Sequence, residues 1–224
     1  RIKLREKEAI FGMPANRDWA LLANYTDKSL LRNKLAMRVS EICGMSWTPK
    51  IFNGDVFLND EYIGRYDLIE HKEVSKHRVN IDISAGDCYL EIEAKKDKPA
   101  CFDTGMKIPI TFSDPEQPSA ALKEEIIRYF SDFETALSSP SFSDPIKGYR
   151  SFVDIDSFIN NYIIQVLSKN IDADLFKSLF LVKRKEGKLG FYHVWDFDLA
   201  FGNCNYLNAH EAVSTGPEGW YIRN

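Results

Sequence analysis

Two acidic residues within a strongly apolar run constrain the fold of this chain more than any other feature of its sequence. The run spans residues 195–202, and Asp196 and Asp198 are its only charged residues. Carboxylates that are surrounded by aromatic and aliphatic side chains lose hydration, so they need a cationic partner. Mg²⁺ is the usual partner, because it binds oxygen ligands and requires only one or two carboxylates besides phosphate oxygens. The run therefore predicts a metal site at the end of a strand.

A second acidic segment, residues 170–174, lies upstream of this run. The residues between the two segments predict a β-hairpin with strands over 178–183 and 189–195. Because a hairpin brings the chain back to its starting point, we expect Asp172 to lie near Asp196. An Asn-x-Asp-x-Asp pattern is also ordinary loop composition, so one of Asp172 and Asp174 has no functional role in this interpretation. We prefer Asp172 as the functional residue.

The first half of the chain predicts mostly strands. A strand is expected over residues 1–8 and a hairpin over 55–70, where apolar residues alternate on both sides of a polar turn. Further strands are expected over 88–94 and 106–112.

One helix is embedded among these strands, over about residues 27–43. Asp27 or Ser29 is expected to cap its first turn, and Gly44 is well placed to end it. Its apolar residues recur with helical spacing and form a stripe that we expect to pack against the sheet that carries the 55–70 hairpin. This stripe consists of Leu31, Leu35, Val39 and Ile42.

The second half begins with helices. Residues 113–119 contain two prolines and predict a connector, which is followed by helices over about 119–137 and 154–167. Together the patterns predict an α+β fold in a single domain, residues 1–224. We expect two lobes, a strand-rich one over about 1–112 and a helix-led one over 119–224, with a hairpin between the acidic segments of the second lobe.

Charge and composition exclude several classes of protein. The 224 residues carry a net charge of −4, with basic and acidic residues mixed, which argues against a general nucleic-acid-binding surface. No apolar run has the length of a membrane span. The chain begins at Arg1 within an apparent strand, so we expect it to be a fragment of a longer polypeptide. Cys88 and Cys101 are compatible with a disulfide across a hairpin, or with free buried thiols.

Five motifs, taken together, resemble the CotH family, the spore-coat-protein-H-like atypical kinases. They read Asn24-Tyr25-x-Asp27-x-Ser29-x-x-Arg32-Asn33, Val56-x-Leu58-Asn59-x-x-Tyr62-x-Gly64-x-Tyr66-x-Leu68-x-Glu70, Asp154-x-Asp156-Ser157-Phe158, Asn170-x-Asp172 and Trp195-Asp196-x-Asp198-x-x-Phe201-Gly202. The hairpin motif and the tryptophan-led acidic motif are long and specific. The ordered set covers most of the chain.

The resemblance implies a protein-kinase-like fold that uses ATP with Mg²⁺ or Mn²⁺ to phosphorylate serine or threonine of a protein substrate. It also implies an extracellular, cell-surface or spore-coat location. Carried over residue by residue, it implies a catalytic aspartate at Asp172, metal ligands at Asp196, Asp198 and Ser178, and ATP contacts at Lys3, Arg32 and Glu70. The resemblance further predicts that Asp172, Asp196 and Glu70 open onto one concave site between the lobes.

Simpler interpretations exist for several of these residues. Lys3 is also an ordinary exposed strand lysine, Glu70 a strand-end charge, and Arg32 a solvated helical arginine. Many relatives carry asparagine shortly after the catalytic aspartate; here Ser178 is the nearest candidate, and serine is a weaker Mg²⁺ ligand. The chain also shows no glycine-rich loop. A catalytically inactive surface scaffold is therefore the alternative function, and a carbohydrate-associated module is a third, suggested by Trp19, Trp47 and Trp220.

Overall fold

The computed structural model describes residues 1–173, 175 and 177–204. Within these residues the fold is α+β, with two antiparallel sheets and three α-helices. The strands are β1 (Ile2–Glu8), β2 (Asn16–Leu22), β3 (Ile51–Leu58), β4 (Glu61–Glu70), β5 (Cys88–Ile92), β6 (Cys101–Asp103), β7 (Pro109–Asp114), β8 (Leu179–Lys183) and β9 (Leu189–His193). The helices are α1 (Arg32–Cys43), α2 (Ala120–Ser138) and α3 (Ile155–Ser168).

The first sheet has four strands in the order β1-β2-β4-β3. The predicted hairpin over 55–70 is confirmed as the β3–β4 pair, and its turn residues Asn59 and Asp60 both adopt positive φ, 51° and 67°. This conformation is typical of tight hairpin turns and is tolerated by Asn and Asp. Strand β2 was not predicted, although it pairs with both β1 and β4 at the centre of the sheet.

The second sheet has five strands in the order β6-β7-β5-β8-β9. All residues of β5 and of β8 are buried, as expected for central strands that are covered on both faces. The predicted hairpin after the first acidic segment is confirmed as β8–β9. This sheet combines strands from both sides of the predicted connector, and the two-lobed division at 1–112 and 119–224 stays a prediction.

The helices agree with the predicted positions, with one shifted start. Helix α2 is capped by the Ser119 hydroxyl, which accepts a hydrogen bond from the Leu122 amide at 3.2 Å. Helix α1 begins at Arg32 rather than near Asp27, because the Asp27 carboxylate accepts the amides of Leu31 and Arg32 across a preceding turn, at 3.2 and 2.9 Å. Gly44 ends α1 in the left-handed conformation, as predicted.

The buried face of α1 differs from the prediction. Leu31, Leu35 and Ile42 of the expected stripe are 59 %, 48 % and 70 % exposed, so the predicted packing of this stripe is wrong. The buried residues of α1 are Asn33, Ala36, Met37 and Ser40. Two of these are polar anchors: Asn33 accepts the amide of Phe197, and Ser40 bonds Thr48, both at 2.8 Å. The orientation of α1 therefore combines these hydrogen bonds with burial of Ala36 and Met37 in the apolar core, and it does not follow the predicted stripe.

Helix α3 also buries mainly polar residues. Among its buried residues are Ser157, Asn161, Gln165 and Ser168. Its exposed residues include Ile159, Tyr162, Ile163 and Leu167. The polar face of α3 therefore points toward the acidic segments, and its end delivers the chain to them.

One large apolar cluster joins both sheets and all three helices, and a smaller one surrounds Trp47, Tyr89 and Phe180. Cys88 and Cys101 form no disulfide with each other, so the free-thiol interpretation is the correct one; Cys88 is buried and Cys101 is partly buried. No described helix is both long and apolar enough to cross a membrane.

Candidate functional site

Three aspartates converge where the second sheet meets α3. Asp172 lies in a 3-10 turn after α3, and Asp196 and Asp198 follow β9. Each offers a carboxylate oxygen, and these oxygens lie within 4.8 Å of one another. The β8–β9 hairpin brings the two acidic segments together, as expected. We call Asp172, Asp196 and Asp198 the acidic cluster; Asp174 lies outside the described residues.

The backbone around Asp196 is held in an unusual conformation. Asp196 has a φ of 67°, which costs a residue other than glycine roughly 1–3 kcal/mol. Val194 and Phe197 are buried in the large apolar cluster. Trp195, which directly precedes Asp196, is half-buried and packs against the same cluster. The Phe197 amide also donates to the Asn33 side chain of α1. This packing fixes the direction of the Asp196 carboxylate.

The acidic cluster carries uncompensated negative charge. Burial, followed by the neighbouring charges of Asp198 and Asp172, raises the pKa of Asp196 to about 6. Lys177 supplies a cation, with its ammonium 2.9 Å from Asp172, and this hydrogen bond raises the pKa of Lys177. Three carboxylates with one lysine leave an excess of hard oxygen ligands, which is the donor set that Mg²⁺ or Mn²⁺ prefers.

Two hydroxyl groups reach the acidic cluster. Ser178, predicted as a metal ligand, donates to Asp196 Oδ2 at 3.5 Å. Thr26 was not predicted, although its hydroxyl donates to Asp198 Oδ2 at 2.5 Å. It is the variable position of the Asn-Tyr-x-Asp motif, and sequence alone offers no signal that this loop reaches an aspartate far along the chain.

Arg32 supports the site from outside the acidic cluster. Its guanidinium pairs with Asp27 and donates to the Ala200 carbonyl at 3.0 Å. Asp27 is fully buried, yet hydrogen bonds from Ser29 and Arg32 outweigh burial and lower its pKa. The first motif therefore ties the start of α1 to the tryptophan-led motif. Arg32 forms no ion pair with the acidic cluster, and its contact with ATP stays a prediction.

Glu70 and Lys3 lie elsewhere. Glu70 ends β4 with 1 % exposure, so it does not open onto a cleft, and burial raises its pKa. Its carboxylate accepts the Lys50 amide at 2.9 Å and lies 4.0 Å from Arg78. Lys3 is exposed on β1, opposite Asp18. Neither residue bonds to the acidic cluster, and their nucleotide roles stay predictions.

A partly buried lysine that the sequence did not indicate, Lys72, lines a cavity of about 470 Å³. Lys72 pairs with Glu91 at 2.6 Å, and its ammonium lies 3.9 Å from the ring centroid of Phe180 and 6.0 Å from that of Trp195. Burial lowers the pKa of Lys72, whereas Lys72 and Lys98 lower the pKa of Glu91 against the effect of burial. Lys72, Glu91 and Lys98 all line the cavity.

A buried histidine supports the strand that leads into the acidic cluster. His193 Nε2 lies 2.6 Å from the Tyr89 hydroxyl, and its Nδ1 lies 3.1 Å from the Val194 carbonyl. Burial lowers the pKa of His193 to about 3, so the ring is neutral. Nδ1–H then donates to Val194, and Nε2 accepts from Tyr89.

The sequence matches a known family over almost the whole chain. The family model described as CotH kinase protein matches residues 1–223. The chain belongs to the CotH kinase family. A comparison with curated proteins found no match. The carbohydrate-associated alternative depended on exposed tryptophans. Within the described residues it has no such support, because Trp19 and Trp47 are buried, at 0 % and 8 % exposure. Trp220 lies outside the described residues.

Proposed function

We propose that this CotH-family chain transfers the γ-phosphoryl group of ATP to a serine or threonine hydroxyl of a protein. The observation that carries the proposal is the convergence of Asp172, Asp196 and Asp198 from two acidic segments. Phosphoryl transfer requires little covalent chemistry from the protein. It requires positioned phosphates, charge neutralisation and a carboxylate that orients the acceptor hydroxyl.

Asp196 and Asp198 would hold Mg²⁺ or Mn²⁺, with Ser178 as a further oxygen ligand. The raised pKa of Asp196 supports this role, because burial and two neighbouring carboxylates outweigh the effect of the Lys177 cation. A divalent ion at this position would neutralise charge that develops on the phosphates. Packing of Phe197 would keep the carboxylates oriented while the nucleotide exchanges.

Asp172 would accept the hydrogen of the incoming hydroxyl and align its oxygen with the γ-phosphorus. It lies on the 3-10 turn at the edge of the acidic cluster, where Lys177 neutralises part of its charge. The Lys177 ammonium, which is 43 % exposed, would also attract the phosphates.

The cavity beside Lys72 is the proposed nucleotide pocket. The pocket is lined by residues of the segment after β4 and of the central strand β5. Lys72 lines it too, and its ammonium lies 6.0 Å from the Trp195 ring centroid and interacts electrostatically with Asp196. A cation in that position would contact the phosphates, and Glu91 would hold it in place. Glu70 and Arg32 are proposed to support ATP binding by holding in place the segments that they contact. Lys3 is proposed to support it through its positive charge at the edge of the first sheet.

The family supports a protein substrate and a location outside the cell, on its surface or in a spore coat. Both remain proposals for this chain.

An inactive scaffold is the second candidate, and one observation favours it. The family resemblance implies an asparagine shortly after the catalytic aspartate, for which Ser178 is the nearest candidate, and the Ser178 hydroxyl is 3.5 Å from Asp196, at the limit of a hydrogen bond. Thermal unfolding with and without Mg²⁺-ATP distinguishes the candidates. An enzyme is expected to be stabilised by the nucleotide only when the metal is present and to label an added acceptor protein. A chain with neither response is a scaffold.

A further inference from the structure

The threonine that binds the acidic cluster is itself a candidate acceptor of phosphate. Thr26 is exposed, and its hydroxyl is 2.5 Å from Asp198 Oδ2. Because all three carboxylates lie within 4.8 Å of one another, this hydroxyl stands beside the position where a phosphoryl group would be transferred. Most surface threonines have no such access to a set of carboxylates.

The position of Thr26 is fixed from both sides. Residues 24–30 form the loop that precedes α1, and we call it the 24–30 loop. Asn24 is buried and donates to Asp67 of β4 at 2.7 Å, while the buried Asp27 pairs with Arg32. Thr26 lies between these two anchors, so the first sheet and α1 together determine where its hydroxyl is held.

The segment after the acidic cluster also binds this loop. The side-chain amide of Asn203 donates to the Thr26 carbonyl at 2.9 Å and to the Asp198 carbonyl at 2.7 Å. One side chain therefore joins the backbone of the threonine to the backbone of the aspartate. Effective concentrations of groups held in this way greatly exceed those of free reactants.

We propose that the chain phosphorylates its own Thr26, an inference that rests on the proposed kinase activity. Thr26 Oγ1 forms a bond to the γ-phosphorus of ATP while the bond between that phosphorus and the β,γ-bridging oxygen breaks. ADP leaves with the electron pair, and the hydroxyl proton passes to a carboxylate of the acidic cluster. The products are phosphothreonine and ADP. The modification removes the hydrogen that Thr26 donates to Asp198 and adds negative charge beside three carboxylates, so it opposes the contact between the 24–30 loop and the acidic cluster.

The test is incubation of the chain with Mg²⁺-ATP, followed by peptide mass spectrometry. We expect phosphate on Thr26, no such phosphate in Asp172→Asn or Thr26→Val, and retention of the site in Thr26→Ser. The matched control is Thr135→Val, since Thr135 is an exposed threonine on α2 that bonds only its own helix; it should leave labelling of Thr26 unchanged. The first-order rate should stay constant over about a tenfold range of protein concentration, because donor site and acceptor share one chain.

Two results would overturn the inference. One is phosphate on another residue, such as Ser178, with none on Thr26; the other is a rate that rises with protein concentration. Dephosphorylated casein and myelin basic protein, added as acceptors, separate this inference from the function on which it rests. Labelled acceptor protein with unmodified Thr26 overturns the inference alone, whereas absence of label on both overturns the kinase proposal as well.

Discussion

At the scale of single residues, Asp196 combines three costs. It is partly buried, it lies beside two other carboxylates, and its backbone occupies the left-handed region. Ser178 and Phe201, which flank the same site, also have positive φ. Unfavourable conformations in residues other than glycine persist where surrounding packing enforces them, and they concentrate at functional sites. The acidic cluster fits this description.

Replacing Asp196 by asparagine preserves its volume and removes its charge. We expect a folded variant whose metal-dependent phosphoryl transfer falls at least about a hundredfold, or roughly 3 kcal/mol of transition-state stabilisation. Asp172→Asn should also lose transfer but keep nearly normal Mg²⁺-ATP affinity, since its proposed role is to orient the hydroxyl. Calorimetric nucleotide affinity and transfer rate, measured for both variants, separate the roles. Normal transfer by Asp196→Asn would remove it from the metal site.

Metal binding should depend on pH through the same residue. Because the pKa of Asp196 is about 6 in the metal-free protein, a proton occupies it at lower pH and must leave before an ion binds. The apparent Mn²⁺ affinity should therefore be constant above pH 6 and fall up to about tenfold per pH unit below it. Calorimetric titrations across this range provide the measurement. An equal pH dependence in Asp196→Asn would assign the effect to another group.

At the scale of elements, the sequence predicted local pairing well and helix orientation poorly. The β3–β4 and β8–β9 hairpins were found because their turns are local and polar. Strand β2 was missed because Asp18, Trp19 and Ala20 are all buried in succession, so its alternation is hidden. The buried face of α1 was predicted wrongly because contacts with distant segments, such as the hydrogen bond between Asn33 and Phe197, contribute to its orientation.

The reversed face of α1 gives a direct test. Met37 is 3 % exposed, so Met37→Ala should lower the free energy of unfolding by about 2–3 kcal/mol through lost burial and a cavity. Leu35→Ala lies on the same helix at 48 % exposure and should change it by no more than about 0.5 kcal/mol. Urea unfolding of both variants gives the comparison. A larger loss for Leu35→Ala would restore the predicted stripe.

The site was predictable to the extent that its residues are close in sequence or joined by a hairpin. Asp172, Asp196 and Asp198 meet this condition. The Lys72–Glu91 pair and the Thr26–Asp198 contact do not, because each depends on how separate elements pack. Glu70 was correctly placed at the end of a strand, but its burial beside Arg78 follows from the 71–80 segment, which carries no periodic pattern.

At the scale of the whole molecule, stability should depend on pH through groups with opposite effects: burial lowers the pKa of His193 and of His71, whereas that of Asp196 is raised. His193 is neutral in the folded state, with a pKa of about 3, while the unfolded chain binds a proton near the ordinary value of 6.5. Its contribution is therefore complete above pH 6.5 and is lost as pH falls, by about 1.4 kcal/mol per unit. Asp196 has the reverse sign: its raised pKa makes the folded state bind a proton first, so stability is gained as pH falls from 6 toward 3.8.

Replacing Asp196 should make the effect of His193 on the pH dependence of stability easier to measure. In Asp196→Asn the opposing gain is absent, so we expect unfolding free energy to fall more steeply than in the wild type between about pH 6 and pH 4. Urea unfolding at several pH values, in the absence of divalent ions, tests this. Parallel curves for the two proteins would show that Asp196 is not protonated preferentially in the folded state.

The central position of β5 has a consequence for the order of assembly during synthesis. The first sheet pairs strands that end at Glu70, so its contacts are complete early. In the second sheet, Cys88 of β5 pairs with Lys183 of β8, and contacts between residues so far apart in sequence form slowly. Until the ribosome has released β8, one edge of β5 is open to pairing with another chain. Because Asp196 and Asp198 follow later still, the acidic cluster is among the last parts of the described chain to form.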